Sequence, residues 1–410
     1  MLTASCLVAA ACAKSGSGSG GSAANPGVDV STHTITIGAP EALTGPNAAY
    51  GENYFGSKAY FDYTNAHGGI NGWKINFQAV DDQYKPDLAL TAAKQLVEQK
   101  QVFSLVAVGG TPPGKAILPY ADKSKVPDIG MTMDTGFLQA EYPNSPALFG
   151  FQPPTAVLTA FAVQYAIQTL HAKSVGLFYT HDPTGDPGPP AATYEAKQLD
   201  PSAKVTSVAL SSTATDFSGY VSRMAAAKPD VVISWNSPAV TIGLMKSAQS
   251  IGLRTTWFGP FYDPLPSFFS TLGSLADNMY FESWFEPFGE SSAAMDQFVN
   301  ATKQYTTDKN PSFLAELGWI GAGEFAHALD LATRGGKTPT RQSLTAALAD
   351  GDSFSPGNLG VKVYFKPGSR IATSGADRIL QWRNGQLQTL VTAADPTVPA
   401  SVITASYGGS

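Results

Sequence analysis

The stretch of the chain that comes nearest to a known chemical motif is the loop at residues 109–116, where G-x-x-x-x-G-K matches a phosphate-binding loop. Such a loop needs backbone N–H groups around the phosphates and a Ser or Thr hydroxyl on Mg²⁺ directly after the lysine. Here Ala116 follows Lys115, and Pro112 and Pro113 carry no N–H. The sequence therefore predicts no nucleotide site in this loop.

Acidic and nucleophilic side chains give no clearer sign of catalysis. Asp81 and Asp82 end a predicted strand, where paired acids are typical of a capped, solvated turn rather than of a metal site. Glu316 and Asp330 lie on a predicted helix, where exposure to solvent is expected. The five histidines lack metal-ligand spacing, and no G-x-S-x-G elbow occurs. We expect no metal, no cofactor and no catalytic centre.

The composition describes a globular chain that does not bind nucleic acid. Its 410 residues suit two domains or two lobes of one protein, and 43% hydrophobic residues are enough for real cores. The net charge is −6, with only 26 Lys and Arg and no basic cluster along an aromatic surface. Both cysteines, Cys6 and Cys12, lie in the first twelve residues, so the rest of the chain has no disulfide.

The elements that must position any site alternate between strand and helix. Thr34 to Asp82 has the pattern of one βαβ unit, with strands at 35–37 and 75–80 and a helix from Tyr54 to Asn65. Further strands are predicted at 102–108, 127–131, 175–179, 205–210, 231–235, 256–259, 279–282, 361–365, 379–382 and 387–391. Further helices are predicted from 86 and at 115–123, 155–170, 217–227, 240–251, 293–306 and 314–333, with a loop at 181–190. This alternation predicts an α/β fold with parallel sheets covered on both faces, whose ligands bind beyond the carboxyl ends of the strands.

Four linked motifs in the first βαβ unit carry a family resemblance. They are I-x-I-G at 35–38, T-G-P-x-A-x-Y-G at 44–51, G-G-I-N-G at 68–72 and D-D-x-x-x-P at 81–86. In this order and spacing they resemble the type I periplasmic solute-binding proteins, especially the leucine/isoleucine/valine-binding proteins of ABC importers. The similarity continues to about Val391.

This resemblance implies two Rossmann-like lobes joined by three hinge crossovers. Lobe 1 would hold residues 33–153 and 286–357, lobe 2 residues 154–285 and 358–395, and a tail would follow at 396–410. The function implied is a non-catalytic, monomeric receptor that captures a small-molecule ligand between the lobes and docks on an ABC permease in the membrane.

The N-terminal residues suggest a lipid anchor. An apolar run at residues 2–11 ends in Ala-Ala-Ala-Cys12, which resembles a lipobox and is too short to span a membrane. We expect residues 1–12 to be a signal remnant and residues 13–32 a flexible Gly/Ser linker. A lipidated Cys12 would tether the protein to the outer face of the cytoplasmic membrane. The alternative is a disordered stub with two incidental cysteines.

The resemblance also implies a set of ligand-binding residues in the loops that follow the strands. In lobe 1 they are Tyr50 over the ligand, Gly110 and Thr111 at its carboxylate, and Met133 and Thr135 at its head group. In lobe 2 they are Thr184, Trp235 and Asn236, followed by Ser237.

The chain departs from its amino-acid-binding relatives at two positions. Those relatives hold the ligand ammonium with a glutamate after Gly-Pro, and here that position is Phe261. Either Asp263 substitutes for the glutamate, or the ligand carries no ammonium, because a buried unpaired ammonium is unfavourable by several kcal/mol. Tyr84 also replaces one cysteine of a pair found in the enteric relatives. Because several aromatic residues flank the site, our hypothesis is that the ligand is a small, mostly apolar or aromatic carboxylate or amide.

Two other classes of function are compatible with this fold. A ligand-sensing subunit of a signalling system would use the same two lobes with a separate partner chain. An enzyme such as an amidase is less favoured, since no nucleophile is paired with a base.

Overall fold

A computed structural model describes residues 25–211, 213–288, 292–349, 352–359, 362–366, 369–374, 377–394, 396–405 and 407. Two β-sheets with helices around them form two lobes, which confirms the predicted α/β class. Both predicted N-terminal features, the lipidated Cys12 and most of the linker, lie outside the described residues.

The first lobe contains a six-stranded sheet in the order β1-β2-β4-β5-β6, with β3 on β2. Its strands are β1 (Val28–Asp29), β2 (Thr34–Glu41), β3 (Lys74–Asp81), β4 (Leu105–Val106), β5 (Asp128–Met131) and β6 (Leu148–Gly150). Every pair is parallel except β1 with β2. Because β1 belongs to the sheet, the expected linker 13–32 includes residues 28 and 29, which form a strand of the first lobe.

Strand β4 is much shorter than the predicted strand 102–108. The apolar run is fully buried as expected, but Ala107 has φ 56° and ends the regular ladder. Beyond this point, Gly109 forms an isolated β-bridge with Thr132 at the carboxyl end of the strands.

The second lobe contains a seven-stranded sheet in the order β15-β14-β11-β10-β9-β7-β8. Its strands are β7 (Ser174–Thr180), β8 (Lys204–Leu210), β9 (Val231–Trp235), β10 (Thr256–Gly259), β11 (Tyr280–Ser283), β14 (Asp377–Arg383) and β15 (Gln386–Ala393). Strands β7 to β11 are parallel, whereas β14 and β15 pair antiparallel at one edge.

Helices surround both sheets, and several lie where a loop was expected or none was predicted. They are α1 (Glu52–Ala66), α2 (Pro86–Lys94), α3 (Thr111–Ser124), α4 (Gly136–Glu141), α5 (Thr155–Gln168), α6 (Gly188–Leu199), α7 (Ser218–Ala226), α8 (Pro238–Ser250), α9 (Pro266–Leu272), α10 (Ala293–Tyr305), α11 (Phe313–Thr333), α12 (Arg341–Ala349) and α13 (Ala400–Thr404). The predicted loop 181–190 ends in α6, because Pro189 and Pro190 occupy its first turn, where no N–H is needed. None of the helices in the described part of the chain is long and apolar enough to cross a membrane.

Helix α11 is the centre of the first lobe and corrects one expectation. It packs on α1 so closely that a Cβ on Gly56 would lie 1.6 Å from Ala315 O, and one on Gly318 would lie 1.9 Å from Asn53 O. Residues are buried all round the helix, and Glu316 is 0% exposed rather than solvated. Glu316 lies where neighbouring elements cover the helix, whereas Asp330, near its C-terminal end, has a side chain that is 38% exposed.

The third crossing between the lobes is preceded by a small separate sheet. Strands β12 (Val363–Phe365) and β13 (Ala372–Ser374) pair with each other and not with the sheet of the second lobe. The Phe365 ring instead meets Phe149 of β6 edge to face at 5.3 Å, and Ile371 bridges Gly150. The expected assignment of 358–395 to lobe 2 is therefore wrong for β12 and β13, which lie against the first lobe.

The predicted tail is part of the packed structure. Helix α13 contacts α4 of the first lobe and α5 and α6 of the second. Beyond it, the Tyr407 hydroxyl donates a hydrogen bond to buried Asp134 Oδ2 at 2.7 Å, and its ring meets Phe137 edge to face at 4.4 Å. The C-terminal segment thus joins the two lobes on the side of α4.

Candidate ligand-binding cleft

A cavity of about 280 Å³ lies between the two lobes, and both lobes contribute to its wall. From the first lobe it is lined by Tyr50, Asn53, Tyr84, Gly109, Gly110, Thr111, Pro112, Thr132, Met133, Gln152, Phe313, Leu314 and Leu317. From the second lobe it is lined by Thr180, Asp182, Thr184, Gly185, Trp235, Asn236, Ser237, Val240, Phe261 and Tyr262. Most of these residues lie at or within a few residues of the carboxyl ends of β3, β4, β5, β6, β7, β9 and β10, as expected for parallel sheets.

Eight of the ten predicted ligand-binding residues line this cavity. They are Tyr50, Gly110, Thr111, Met133, Thr184, Trp235, Asn236 and Phe261. The structure does not bring Thr135 and Asp263 to the wall of the cavity.

Thr135 and Asp263 lie behind the wall for different reasons. The Thr135 hydroxyl donates to Gln152 O at 2.6 Å, so this side chain holds a lining residue in place. Asp263 is 0% exposed, and burial raises the pKa of its carboxyl well above the usual range, with the Thr241 hydroxyl opposing that rise. Burial thus favours the neutral form of this carboxyl, which is set back from the wall of the cavity.

On the first-lobe side, two tyrosines form one aromatic surface. The rings of Tyr50 and Tyr84 are stacked, with centroids 4.5 Å apart and planes 16° apart. The Tyr84 ring lies over Gly110, where an added Cβ would be 2.4 Å from Cε2. Gly110 also has φ 86°, so both its backbone and its neighbour require a glycine.

The two acids at the end of β3 position Tyr84. Asp81 Oδ1 accepts hydrogen bonds from the N–H groups of Leu43, Thr44 and Gln83, and Asp82 Oδ1 accepts one from Tyr84 N at 2.7 Å. Asp82 is 1% exposed, which corrects the expected solvated turn, and burial raises its pKa to about 6. Within the described residues, no three His, Cys, Asp or Glu side chains form a metal-binding group.

On the second-lobe side, three aromatic residues close the cavity. The Trp235 indole N–H donates to Thr184 O at 3.1 Å, which fixes the ring. Trp235 meets Tyr262 edge to face at 6.1 Å, and Phe261 meets Tyr262 in the same way at 5.0 Å. Because Trp235 and Phe261 are 2% and 5% exposed, they belong to the lobe core and also line the cavity.

The start of α3 offers a ligand few hydrogen-bond donors. Gly114 N donates to Gly110 O at 3.0 Å, and Pro112 and Pro113 have no N–H. Thr111 Oγ1 accepts from Asp134 N at 3.1 Å, which leaves the hydroxyl proton free to turn towards the cavity. The donors available in this turn are therefore the Thr111 N–H and hydroxyl, at the positive end of a helix of 14 residues.

Asn236 and Asn53 are lining residues whose amide N–H groups are already engaged, while Asn53 Oδ1 has no hydrogen-bond partner among the described residues. Asn236 donates to Phe178 O and Ser234 Oγ and accepts from the Thr180 hydroxyl, so it ties two strand ends together. The Asn53 amide donates to Glu41 Oε1 at 2.8 Å and to Ala107 O at 2.6 Å. Burial raises the pKa of Glu41 well above its usual range, with the Asn53 bond opposing this.

Sequence reasoning missed several lining residues, including Asn53, Gln152 and Asp182. Asp182 follows the end of β7 by two residues, and an acid directly after a strand of a parallel sheet is a signal that could have indicated it. Gln152 likewise follows the end of β6 by two residues, whereas Asn53 gave no comparable signal because it lies on helix α1.

Comparison with known proteins agrees with this architecture. The sequence profile of the family described as "Periplasmic binding protein" matches residues 34–386. An "Amino acid binding protein" of Pseudomonas aeruginosa is 38% identical over 81 residues, which is 19% of this chain. A "Leu/Ile/Val-binding protein homolog 3" of Brucella melitensis is 37% identical over 87 residues, which is 20% of this chain. The matched segments span only 22% of the first relative and 24% of the second.

Solved structures of the same fold cover nearly the whole chain at low identity. The branched-chain amino acid transporter substrate-binding protein of Streptococcus pneumoniae, in complex with isoleucine, is 21% identical with a TM-score of 0.72 and covers 88% of this chain and 100% of its own. A solute-binding protein of R. palustris in complex with benzoate is 16% identical with a TM-score of 0.72 and covers 89% and 98%. Periplasmic binding proteins are extracytoplasmic solute receptors, and this chain belongs to that family, as a type I member related to the leucine/isoleucine/valine-binding proteins.

Proposed function

We propose that this protein is the extracytoplasmic receptor of an ABC importer and captures a small, largely apolar ligand in the cleft between its lobes. The observation that carries this proposal is the cavity whose wall both lobes share. A ligand that contacts both lobes stabilises the closed arrangement, because it binds that state more tightly than the open one. The closed protein would then dock on a membrane permease.

The wall of the cavity supports a ligand with an aromatic or aliphatic body and one polar head. About 280 Å³ is at the small end of ligand pockets, which span roughly 300–1,000 Å³. The body would lie between the Tyr50–Tyr84 pair and the group formed by Trp235, Phe261 and Tyr262. A carboxylate or amide head would accept hydrogen bonds from Thr111. Isoleucine and benzoate in the two solved relatives are small ligands of this kind.

The proposal includes the cellular setting predicted from the sequence. Lipidation of Cys12 would tether a monomer to the outer face of the cytoplasmic membrane, within reach of a permease. The lobes would follow the predicted division, with β1, β12 and β13 assigned to the first lobe. We propose a receptor without catalytic activity.

Native mass spectrometry of the full chain, purified without added ligand, tests the proposal. We expect a co-purified small molecule that is released on denaturation, or binding of a member of a panel of amino acids and aromatic acids in calorimetry. Stimulation of a reconstituted permease and its ATPase by the loaded protein would support import rather than sensing. If the protein converts a panel compound to product, or binds nothing in either measurement, the proposal is wrong.

A further inference from the structure

The wall of the cavity contains a negative charge and no positive one. Among the described residues that line it, Asp182 is the one carboxylate, and none is Lys, Arg or His. Asp182 Oδ1 accepts hydrogen bonds from Thr184 N at 2.8 Å and Gly185 N at 3.0 Å, and Oδ2 has no partner in the described part of the chain. An anionic ligand would meet this fixed like charge in a partly buried site, which is unfavourable.

The start of helix α3 offsets only part of that charge. The N–H groups of Gly110 and Gly114 already donate to backbone oxygens at 3.0 Å, and the two prolines between them have no N–H. The Thr111 N–H and hydroxyl are the donors that remain in this turn. A helix N-terminus is equivalent to roughly half a positive charge, which is less than the full negative charge of Asp182.

Tyr84 adds a neutral donor at the same turn. An added Cβ at Gly110 would be 2.6 Å from the Tyr84 hydroxyl oxygen, so the phenol lies directly over the start of α3. Tyr84 and Gln83 have φ of 59° and 53°, a conformation that is unfavourable for side chains of this size and that clusters at functional sites. The Asp81 and Asp82 carboxylates accept hydrogen bonds from the N–H groups of Gln83 and Tyr84 and hold this backbone in place.

Phenol hydroxyls of both lobes supply donors to the cavity, and Asp182 acts on two of them. Tyr50 and Tyr84 line the cavity from the first lobe and Tyr262 from the second. Burial raises the pKa of all three hydroxyls, so each keeps its proton. The charge of Asp182 adds to the rise in pKa at Tyr84 and Tyr262. A head group in this space can therefore accept from a phenol and donate to Asp182.

We propose that Asp182 excludes anions from the cleft, so that the solute is uncharged and has a head group that both accepts and donates hydrogen bonds, such as a carboxamide or an alcohol. This inference rests on the proposed function and narrows its head group. The ligand oxygen would accept hydrogen bonds from Thr111 and Tyr84, and the ligand N–H or O–H would donate to Asp182 Oδ2. A carboxylate has no proton to donate to Asp182.

Calorimetry with probes of matched shape tests the assignment. Benzamide and benzoate differ in charge but hardly in shape, as do 3-phenylpropanamide and 3-phenylpropanoate. Benzyl alcohol and the zwitterion phenylalanine complete the panel, and each probe is titrated into the full chain at pH 6 and pH 8. Asp182→Asn keeps the Oδ1 acceptor for both backbone N–H groups, so it should fold, which circular dichroism verifies. Asp186→Asn is the matched control, because Asp186 lies on the same loop, pairs with exposed His181 and does not line the cavity.

We expect the carboxamides to bind at least about tenfold more tightly than the corresponding carboxylates at pH 8. Asp182→Asn should tighten carboxylate binding by about tenfold and remove most of this difference, whereas Asp186→Asn should keep it. A carboxylate can enter the unmodified site once Asp182 is protonated, so its affinity should rise from pH 8 to pH 6 with uptake of a proton, while carboxamide affinity stays constant. Tyr84→Phe, which keeps the ring, should weaken carboxamide binding by about fivefold.

Two results would overturn the role of Asp182 and leave the receptor function intact. One is a carboxylate or phenylalanine that binds at least as tightly as the uncharged probes, or a carboxylate that binds no more tightly to folded Asp182→Asn. The other is a co-purified carboxylate, amine or amino acid in native mass spectrometry. An uncharged co-purified molecule would support the inference even if no probe binds. If no probe binds and no small molecule co-purifies, the proposed function itself is wrong and this inference with it.

Discussion

The Tyr50 and Tyr84 rings stack with their centroids 4.5 Å apart and form the first-lobe side of the ligand cavity. Helix α1 and strand β3 separate the two residues in the sequence, and the end of β3 brings Tyr84 back to Tyr50. Offset aromatic pairs contribute about 0.5–1.5 kcal/mol beyond area burial, so this pair gives the cleft a rigid aromatic surface before ligand arrives.

Gly110→Ala should damage this surface. The added Cβ would lie 2.4 Å from Tyr84 Cε2 at a backbone φ of 86°, so the ring must move and the backbone is strained. We expect a loss of about 2–4 kcal/mol in the free energy of unfolding and at least tenfold weaker ligand binding. Chemical denaturation and calorimetry measure these two effects.

Gly72→Ala is the control for the backbone term. Gly72 has φ 84° but no atom within 4 Å of an added Cβ. The Gly72→Ala variant should lose only about 1–2 kcal/mol in the free energy of unfolding and bind ligand as tightly as the unmodified protein. If both variants bind ligand equally well, the Tyr84 surface does not contribute to the site.

A glycine-to-alanine substitution should destabilise the protein at Gly318, in the contact between α1 and α11, and stabilise it at Gly219, outside that contact. Gly318→Ala would place a Cβ 1.9 Å from Asn53 O, and Asn53 lines the cavity. We expect about 3 kcal/mol of destabilisation and weaker binding, because the helices must separate. Gly219→Ala, in α7 with nothing within 4 Å, should instead stabilise by up to about 1 kcal/mol. Thermal unfolding of the two variants decides this, and destabilisation of equal size in both would refute the packing account.

Tyr407→Phe tests whether the C-terminal segment secures the first lobe. The variant keeps the ring against Phe137 but removes the hydrogen bond to Asp134, which also bonds Gly136 N. Loss of a donor to a buried carboxyl should lower the free energy of unfolding by about 2 kcal/mol. Tyr220→Phe is the control, because its hydroxyl has no hydrogen bond within the described residues. An unchanged midpoint for Tyr407→Phe would show that the segment is not a structural anchor.

Asp128 should make stability depend on pH. It is 0% exposed, and burial raises its pKa from 3.8 to about 7. Its folded pKa exceeds its unfolded pKa, so the folded state binds the proton more tightly. The free energy of unfolding therefore falls as pH rises from about 4 to about 7, by at most roughly 4 kcal/mol.

Asp128→Asn should flatten that profile and raise the unfolding midpoint at pH 8. Glu324, a buried neighbour whose pKa is also raised by burial, retains its own share of the pH dependence. Exposed Asp277→Asn is the control and should follow the unmodified protein. Parallel profiles for Asp128→Asn and the unmodified protein between pH 4 and 8 would contradict the assignment.

The sequence predicted the alternation of strands and helices well, because buried parallel strands leave strong apolar runs. It predicted less about what surrounds each element. Glu316 was expected in solvent because one acid on a helix is normally exposed, yet it is buried, with Glu286 and Arg378 as its charged neighbours. Strand β4 ends just before Ala107, whose positive φ of 56° could not be predicted from its residue type.

The residues of the candidate site could likewise be predicted only in part. Trp235 at the end of β9 and Thr111 at the start of α3 were predicted from the family resemblance, and both line the cavity. Asp263 could not be placed correctly, because two residues of loop decide whether a side chain lies in the wall of the cavity or behind it. Asp182 could have been found from its place after β7, but only the full lining shows that no described Lys, Arg or His lies in the wall with it.

Small-angle X-ray scattering of the full chain, before and after saturation with a ligand that calorimetry has verified, tests the central claim most directly. The account predicts a smaller radius of gyration on binding, because a ligand held by both lobes favours the closed arrangement. It also predicts that Gly110→Ala requires more ligand for the same change. Identical profiles with and without saturating ligand would contradict the claim that the lobes close on a solute.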